Sequence, residues 1–416
     1  MLRMLTENLL DRMDKDMARW TKCRIGDMCM TNSQSYSPKE GWTFVNYLDT
    51  GNITKNVVDE IQYIDLACEK LPSRAKRKVQ YDSVLFSTVR PNQLHYGIVK
   101  SQPENFLVST GFAVLDADPK KLNPNYLYYL LSSNEIVEGL HAIAEQSVSA
   151  YPSIKPSDIE NLEVDIPDLE TQRKIAAILM GIDEKIQINT SINKNLEQQA
   201  QALFKSWFID FEPFGGSAPI GWSKSTLGEI AFMKTDSWSP TKNPDALVEH
   251  YSIPAFDEKH YPVFEPASGI KSNKYILTKN SIMISKLNPD TKRIWRPLCL
   301  SEHPVCSTEF IVYEAKKEGQ KDYIYSIIDS FPFFNHLCSH TTGSTNSRQR
   351  ATPKSTLDFA LVLPSDSVIK EFCNIVTPIY DMIAANTIEN QSLAEARDRL
   401  LPKLMSGEID VSDLSI

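Results

Sequence analysis

Residues 169–211 read LETQRKIAAILMGIDEKIQINTSINKNLEQQAQALFKSWFIDF, and this stretch decides the fold. It has no proline and a single glycine, Gly181, so nothing inside it forces a break, and it predicts one long helix. Selected positions alternate at steps of four and three, which is the heptad seam of a coiled coil. They are Ile175, Leu179, Ile182, Ile186, Asn189, Asn193, Leu196, Ala200, Leu203 and Trp207. A helix of this length would extend roughly 60 Å at about 1.5 Å per residue, and its seam needs a partner.

The partner helix is predicted later in the same chain. The seam recurs as Phe372, Val376, Ile379, Ile383, Asn386, Asn390, Leu393, Arg397, Leu400 and Leu404. Its character changes at two positions, where Ala200 becomes Arg397 and Trp207 becomes Leu404. A seam asparagine costs stability but fixes the register, because a shifted alignment leaves its amide unpaired. Both copies carry an asparagine pair, so we predict that the two helices pair with each other, antiparallel; the alternative is an amphipathic helix packed on each domain.

The segments before the two helices also repeat. Trp20, Lys22 and Gly26 recur as Trp222, Lys224 and Gly228, after a linker rich in glycine and proline at residues 213–221. DSVLFSTVRPN from Asp82 recurs as NSIMISKLNPD from Asn280, and both predict a short strand that enters a loop. Helical segments are predicted from Tyr126 and Tyr323. The chain is therefore predicted to be a tandem duplication.

The duplication predicts an α/β (α+β) architecture with a pseudo-twofold internal repeat. Two globular domains would lie in tandem, separated by two long antiparallel coiled-coil helices. The predicted segments are a helical lead (1–19), body 1 (20–167), a central spacer helix (168–212), a linker with body 2 (213–364), and a C-terminal spacer helix with its tail (365–416).

Composition sets the outer limits of function. The chain has 416 residues, of which 42% are hydrophobic and 23% are charged, a profile typical of two or three globular domains. Without a membrane-spanning run or a secretory signal, and with seven cysteines but no CxxC motif, we expect a cytoplasmic protein with reduced thiols. The net charge is −9, but the acidic excess lies in residues 156–221 and 353–416, which contain the long helices. The bodies are nearly neutral, which allows them to contact phosphate.

The sequence resembles the specificity subunit of type I restriction-modification enzymes. The resemblance is carried by IPDLETQRKIAAIL, NKNLEQQAQALFKSWFIDF, GWSKSTLGEIA and the tail SLAEARDRLLPKLMSGEID. It implies two target recognition domains that each read one half of a split site in double-stranded DNA. It also implies partners, namely two methyltransferase subunits that use S-adenosylmethionine and two restriction subunits that use ATP and Mg²⁺. This chain itself would bind no cofactor, carry no catalytic site and contact no membrane.

Physical logic points in the same direction. Two similar bodies on stiff paired helices would measure the separation of two sites on a duplex. Since the bodies share a frame and differ in sequence, each is expected to read a different half-site, so that the target is asymmetric. Phosphate contacts would set the register, and contacts to base edges would set the identity.

Candidate DNA contacts are cations and amides in predicted loops. Arginine forks onto guanine, asparagine and glutamine pair with adenine, and lysine contacts phosphate. In body 1 the candidates are Arg74, Lys76, Arg77, Lys78, Arg90, Asn92 and Gln93; in body 2 they are Lys286, Asn288, Lys292, Arg293, Arg296, Arg348, Gln349 and Arg350. The last three belong to the polar stretch GSTNSRQRATPK, the preferred candidate. Solvated loops that contact nothing are the alternative.

Catalytic and metal-binding alternatives rest on short patterns. Asn123, Pro124, Asn125 and Tyr126 resemble the NPPY motif of amino-methyltransferases, with Asn125 in place of the second proline, but a helix start capped by Asn123 explains them better. Pro289 and Asp290, with Glu314 and Lys316 downstream, match a permissive nuclease pattern. His336, Cys338 and His340 could contribute to a metal site, although packing and surface histidines explain them better. A degenerate adenine-N6 methyltransferase and a coiled-coil protein scaffold remain the alternative functions, and no metal is expected.

Overall fold

The computed structural model describes residues 20–147, 151–342, 349–412 and 414. The predicted helical lead (1–19) and Arg348 lie outside the described residues. By compactness the chain divides into unit 1, Met1–Lys185 with Ser392–Ile416, and unit 2, Ile186–Gln391. Each unit combines one body with part of both long helices. The five-segment division of the chain therefore stays a prediction.

Body 1 is built from short strands and three helices. The strands are β1 (Thr21–Arg24), β2 (Cys29–Thr31), β3 (Phe44–Leu48), β4 (Ile53–Thr54), β5 (Val57–Val58), β6 (Gln62–Asp65), β7 (Ala75–Lys78), β8 (Val84–Ser87), β9 (Tyr96–Ile98), β10 (Phe106–Ser109), β11 (Phe112–Ala117) and β12 (Glu163–Ile166). The helices are α1 (Pro124–Ser132), α2 (Asn134–Glu145) and α3 (Pro156–Glu160). The strands form two four-stranded sheets, β6-β3-β10-β7 and β2-β11-β8-β9. Two separate two-stranded sheets, β1-β12 and β4-β5, accompany them. Leu85, Phe106 and Phe112 share one buried core cluster.

The central helix α4 spans Leu169–Phe208. It starts where predicted but ends three residues before Phe211, because Phe211 adopts a left-handed conformation (φ 54°) and opens a 3₁₀ turn, Glu212–Phe214. The ring of Phe211 lies 5.9 Å from that of Trp222, at the entrance to body 2. The prediction of one uninterrupted helix to residue 211 is therefore wrong at its last turn.

Body 2 repeats the plan of body 1. Its strands are β13 (Ser223–Thr226), β14 (Ala231–Met233), β15 (Ser237–Trp238), β16 (Leu247–Tyr251), β17 (Val263–Pro266), β18 (Lys274–Ile276), β19 (Ile282–Ser285), β20 (Ile294–Trp295), β21 (Pro304–Ser307), β22 (Phe310–Ala315), β23 (Thr341–Thr342), β24 (Arg350–Ala351) and β25 (Ala360–Leu363). Its helices are α5 (Leu227–Ile230), α6 (Ile253–Lys259), α7 (Lys321–Asp329), α8 (Phe331–Ser339) and α9 (Pro353–Thr356), and α10 (Asp366–Met405) is the C-terminal long helix. The sheets are β15-β18-β21-β16-β17 and β14-β22-β19-β20, with the pairs β13-β25 and β23-β24.

The repeat extends to individual hydrogen bonds. Phe112 pairs with Ser87 in body 1, and Phe310 pairs with Ser285 in body 2. The hydroxyl of Ser83 donates to Asp116 at 2.5 Å, and that of Ser281 donates to Glu314 at 2.9 Å. The two predicted strands and the helices near Tyr126 and Tyr323 are confirmed. The α/β fold with an internal repeat and long paired helices is therefore the observed architecture.

Within unit 2 the long helices run antiparallel. Asn189 donates to Asn390 at 2.9 Å, and Asn386 donates to Asn193 at 2.8 Å, so the contact moves back along α10 as it moves forward along α4. The Asn189 amide also donates to Glu389 at 2.7 Å. Asn189 is 1% exposed, and because its amide is satisfied, its burial costs little.

Within unit 1 the seam is apolar except at Arg397, and the residues that follow α10 pack against it. Ile175, Leu179 and Leu400 are at most 1% exposed. After α10 the chain turns at Gly407, whose φ is +75° and where an added Cβ would lie 2.8 Å from the indole nitrogen of Trp20. Only glycine fits this approach without displacement.

The asparagine pairing in unit 2 leads to a prediction. Asn386→Leu should lower the free energy of unfolding by about 1–2 kcal/mol, because the side-chain oxygen Oδ1 of Asn193 loses its hydrogen-bond donor. The double variant Asn193→Leu/Asn386→Leu should be more stable than this single variant, because two apolar side chains then face each other. Urea unfolding measures both, and a double variant weaker than the single one would contradict the pairing.

Candidate nucleic-acid interface

In the basic run of body 1, three cations have no ion pair within 4 Å among the described residues and one is paired. Arg74 and Lys76 are exposed, and Arg77 is half-buried on the edge strand β7. The Arg77 Nε is buried without a hydrogen-bond acceptor among the described residues, and burial lowers the pKa of this guanidinium. Lys78, by contrast, forms an ion pair with Glu40 and lies 5.2 Å from the Trp42 ring.

An uncompensated and partly buried guanidinium favours an incoming anion. Its desolvation cost is already met in the free protein, so a phosphate that reaches it gains a charge-assisted hydrogen bond at little further cost. Arg77 with Arg74 and Lys76 is therefore the basic patch of body 1 (residues 74, 76 and 77). Lys78 belongs to the structure of the body rather than to this patch.

A proline-containing hairpin occurs at the same place in both bodies. Hairpin 1 joins β8 to β9, and hairpin 2 joins β19 to β20. Arg90 in hairpin 1 has φ 48° and Asn288 in hairpin 2 has φ 47°, and each precedes a buried proline. The left-handed region is strained for arginine, and a following proline restricts it further. Such strain persists only where the surroundings hold it, and it clusters at functional sites.

Backbone hydrogen bonds hold both hairpins in the same way. The Arg90 N–H donates to the Pro152 carbonyl at 2.9 Å, and the Ile154 N–H donates to the Thr88 carbonyl at 2.8 Å. In body 2 the Asn288 N–H donates to Gln349 at 2.9 Å, and the Ala351 N–H donates to Lys286 at 2.8 Å. The predicted loop at Gln349 thus lies beside hairpin 2, which the sequence alone did not indicate.

The side chains on the hairpins differ between the bodies. The Arg90 guanidinium lies 5.1 Å from the Tyr151 ring, and Asn92 and Gln93 are exposed at the tip. At the corresponding tip of hairpin 2, Asp290 and Thr291 are exposed. Tyr151 was missed by the sequence analysis; an exposed aromatic residue near cations was the available signal. A common frame therefore presents different hydrogen-bonding groups in the two bodies.

Most of the predicted cations of body 2 are bound within the protein. Lys292 pairs with Asp329 at 2.5 Å, Arg293 with Asp257 at 2.6 Å, and Arg350 with Glu309 at 3.0 Å. Lys286 has no ion pair in the described part of the chain. The partners are remote in sequence, which is why the basic residues looked free before the fold was known.

Arg296 is the most firmly engaged of these cations. It forms a forked pair with Asp322 at 2.8 and 3.2 Å, and it also reaches Asp381 at 2.8 Å. Thr377 donates to the same Asp322 carboxylate at 2.7 Å. The side chain of Asp322 is only 7% exposed. Arg296 therefore joins body 2 to α10, which favours a structural role over the predicted contact with DNA.

The short catalytic patterns have structural roles. The Asn123 side chain accepts hydrogen bonds from the N–H groups of Asn125 and Tyr126 at 3.0 Å, which confirms the predicted helix cap. Glu314 accepts hydrogen bonds from Thr278, Ser281 and Lys234 within body 2.

The histidine pair likewise has ordinary partners. His336 contacts the Ser355 carbonyl at 2.9 Å, and His340 contacts the His336 carbonyl at 2.8 Å. Among the described residues no group of three His, Cys, Asp or Glu side chains is arranged to hold a metal ion. Helices that are both long and apolar enough to cross a membrane are likewise not found in this part of the chain.

Comparison with known proteins shows which families of proteins the chain resembles. Residues 17–198 match the family model described as the type I restriction modification DNA specificity domain. The matched segment contains body 1 and most of α4. The chain is 27% identical to the Type I restriction enzyme HindI specificity subunit of Haemophilus influenzae, over 94% of this chain and 100% of that protein. It is 26% identical to the Type I restriction enzyme MjaIX specificity subunit of Methanocaldococcus jannaschii, over 70% of each chain.

A solved structure shares the fold. The S subunit of the type I restriction-modification system from M. genitalium superposes with a TM-score of 0.58 at 17% identity, covering 94% of this chain and 97% of that one. The chain is thus similar along most of its length to type I restriction enzyme specificity subunits, and residues 17–198 match the DNA specificity domain. These similarities support a role in DNA sequence recognition.

The basic patch of body 1 leads to a prediction. Replacing Arg74, Lys76 and Arg77 by alanine should weaken duplex binding, because up to three cations are lost. It should also flatten the dependence of log K on log salt by up to about one unit per phosphate contact. Titration of fluorescent duplex DNA at several salt concentrations measures this. Lys78→Ala is the matched control and should keep the parent slope, whereas a parent slope in the triple variant would exclude the patch.

The structural role of Arg296 makes the opposite prediction. Arg296→Ala should lower the free energy of unfolding by about 3 kcal/mol, because Asp322 would remain buried and unpaired. The salt slope of duplex binding should be unchanged. Lys317→Ala, which removes an exposed pair with Asp366, should cost less than about 1 kcal/mol. A flattened salt slope in Arg296→Ala would return this residue to the DNA interface.

Proposed function

We propose that this chain reads a bipartite, asymmetric site in double-stranded DNA and directs partner methyltransferase and restriction subunits to it. Body 1 and body 2 each read one half-site. The observation that carries the proposal is the pair of hairpins, which share the strained residue before proline and the clamping hydrogen bonds but present different side chains. A repeated frame supplies the same approach to DNA twice, and the changed side chains supply two different readings.

Phosphate and base contacts divide among the candidate residues. The basic patch of body 1 contacts phosphate. Arg90, Asn92 and Gln93 in body 1, with Lys286, Asn288 and Gln349 in body 2, lie on or beside the hairpins and contact base edges or the adjoining backbone. Arg348 and Arg350 remain proposed phosphate contacts, and Arg350 must then exchange its exposed pair with Glu309 for phosphate. Such an exchange costs little, because exposed ion pairs contribute little stability.

The asparagines of the helix seam have a proposed role of their own. Asn189, Asn193, Asn386 and Asn390 fix the register of α4 against α10 within unit 2. A shift by one turn would leave the amide of Asn189, which is 1% exposed, without its partners. The register in turn fixes where body 2 is held along the helices.

Chemistry belongs to the partner subunits in this proposal. The chain is non-catalytic and binds no cofactor of its own. Two methyltransferase subunits use S-adenosylmethionine, and two restriction subunits use ATP and Mg²⁺. We place the complex in the cytoplasm, where its DNA substrate and reduced thiols are both expected; its seven cysteines are all free. The degenerate methyltransferase is disfavoured because Asn123 is committed to capping a helix.

The deciding experiment is methylation mapping. The chain is co-expressed with its methyltransferase subunit in a host without DNA methylation, and modified adenines are mapped across the genome. We expect one split motif with two unlike halves, and only when both chains are present. Expression of either chain alone is the control. Methylation by this chain alone would favour the enzyme, and its absence from an assembled complex would favour the scaffold.

A further inference from the structure

Each body contacts the long helices through an equivalent residue on an equivalent helix. In unit 1 this residue is Tyr129 on α1, and in unit 2 it is Ser326 on α7. The two occupy the same position in the repeat, as do Asp183 with Tyr380 and Ala200 with Arg397. Docking triad 1 is Tyr129, Asp183 and Arg397, and docking triad 2 is Ser326, Tyr380 and Ala200.

Docking triad 1 is a charged cluster. The Tyr129 hydroxyl donates to one oxygen of Asp183 at 2.7 Å. Arg397 donates to the other oxygen of the same carboxylate at 2.7 Å. One carboxylate on α4 is thus shared by a phenol from the body and a guanidinium from α10, and Tyr129 is only 3% exposed.

Docking triad 2 is neutral. Its large residue, Tyr380, lies on a long helix, whereas the large residue of triad 1, Tyr129, lies on the body. The Ser326 hydroxyl lies 2.9 Å from that of Tyr380, which is 5% exposed on α10. Ala200 on α4 is 1% exposed and belongs to the same buried cluster as Tyr380. The Arg296 guanidinium lies 5.9 Å from the Tyr380 ring.

The two triads therefore occupy equivalent positions, but the large and the small side chain are exchanged between body and helix. In triad 1 the body supplies the phenol and the helix supplies a small carboxylate. In triad 2 the body supplies a small hydroxyl and the helix supplies the phenol. We propose that these triads are docking determinants that admit each body only to its own part of the paired helices.

Wrong combinations would be penalised in two ways. Tyr129 placed against Tyr380 would put two phenols where one fits, and overpacking of a dense core is destabilising. Ser326 placed against Asp183 would leave the space of the Tyr129 ring unfilled, which also costs stability. The part of the paired helices that each body contacts is then determined by three side-chain positions. This inference concerns docking and does not depend on DNA reading.

A conversion of triad 1 into the type of triad 2 tests the proposal in the full-length chain. The variants are Tyr129→Ser, Asp183→Tyr/Arg397→Ala, and all three changes together. We expect each partial conversion to lower the Tm by about 5 °C, through a cavity in the first and overpacking in the second. The complete conversion should recover most of the loss. Lys22→Ala, which removes an exposed pair with Glu163, is the control and should shift the Tm by less than about 2 °C.

Additivity would overturn the proposal. If the complete conversion loses as much as the two partial conversions combined, the three residues act independently and contribute only stability. An exchange of the bodies extends the test: residues 20–167 and 222–364 are interchanged, with and without the helix changes Asp183→Tyr, Ala200→Arg, Tyr380→Asp and Arg397→Ala. The helix changes should raise the Tm of the exchanged chain. An equal Tm with and without them would contradict the assignment.

Discussion

The pairing of two helices that are remote in sequence is the constraint on which the rest of the structure depends. Neither α4 nor α10 can satisfy its seam alone, because each carries a continuous row of apolar residues interrupted by asparagine. In unit 2 the asparagines meet each other, so the register that buries Ala200 and Val376 is also the register that satisfies Asn189. A polar defect that is repeated in both partners costs little when they are aligned and much when they are not. The helices are thereby specified as well as stabilised.

The two bodies share their buried framework and differ in the side chains at particular surfaces. The buried serines that donate to Asp116 and Glu314, and the clamps on both hairpins, are common to the two bodies. What changes lies at the hairpin tips and at the contacts with the long helices. The frame can therefore be held constant while the recognition chemistry changes, which is what a protein that reads two unlike half-sites requires.

The sequence predicted those parts of the fold that depend on neighbouring residues or on a repeated pattern. Strands in matching frames, the Asn123 cap and the asparagine seam all leave short-range or periodic signals. Ion-pair partners do not: Arg293 finds Asp257, and Arg296 finds Asp322 and Asp381, across separations that no pattern indicates. Several residues of body 2 that were predicted to contact DNA are consequently engaged in ion pairs within the protein. The departure of Arg397 from the seam was visible in the sequence, but its reason, a carboxylate shared with Tyr129, required the fold.

The division into units also bears on how the protein is made. Unit 2 is a single continuous segment, Ile186–Gln391, whereas unit 1 needs Ser392–Ile416 to complete it. During synthesis body 1 leaves the ribosome before unit 2, yet the segment that covers Trp20 and Ile175 leaves only after unit 2. At about 5–20 residues per second the interval is on the order of 10–40 s. In the nascent chain the apolar surface around Trp20 and Ile175 therefore stays uncovered while all of unit 2 is translated. The chain can bury that surface only after the whole of unit 2 has been translated.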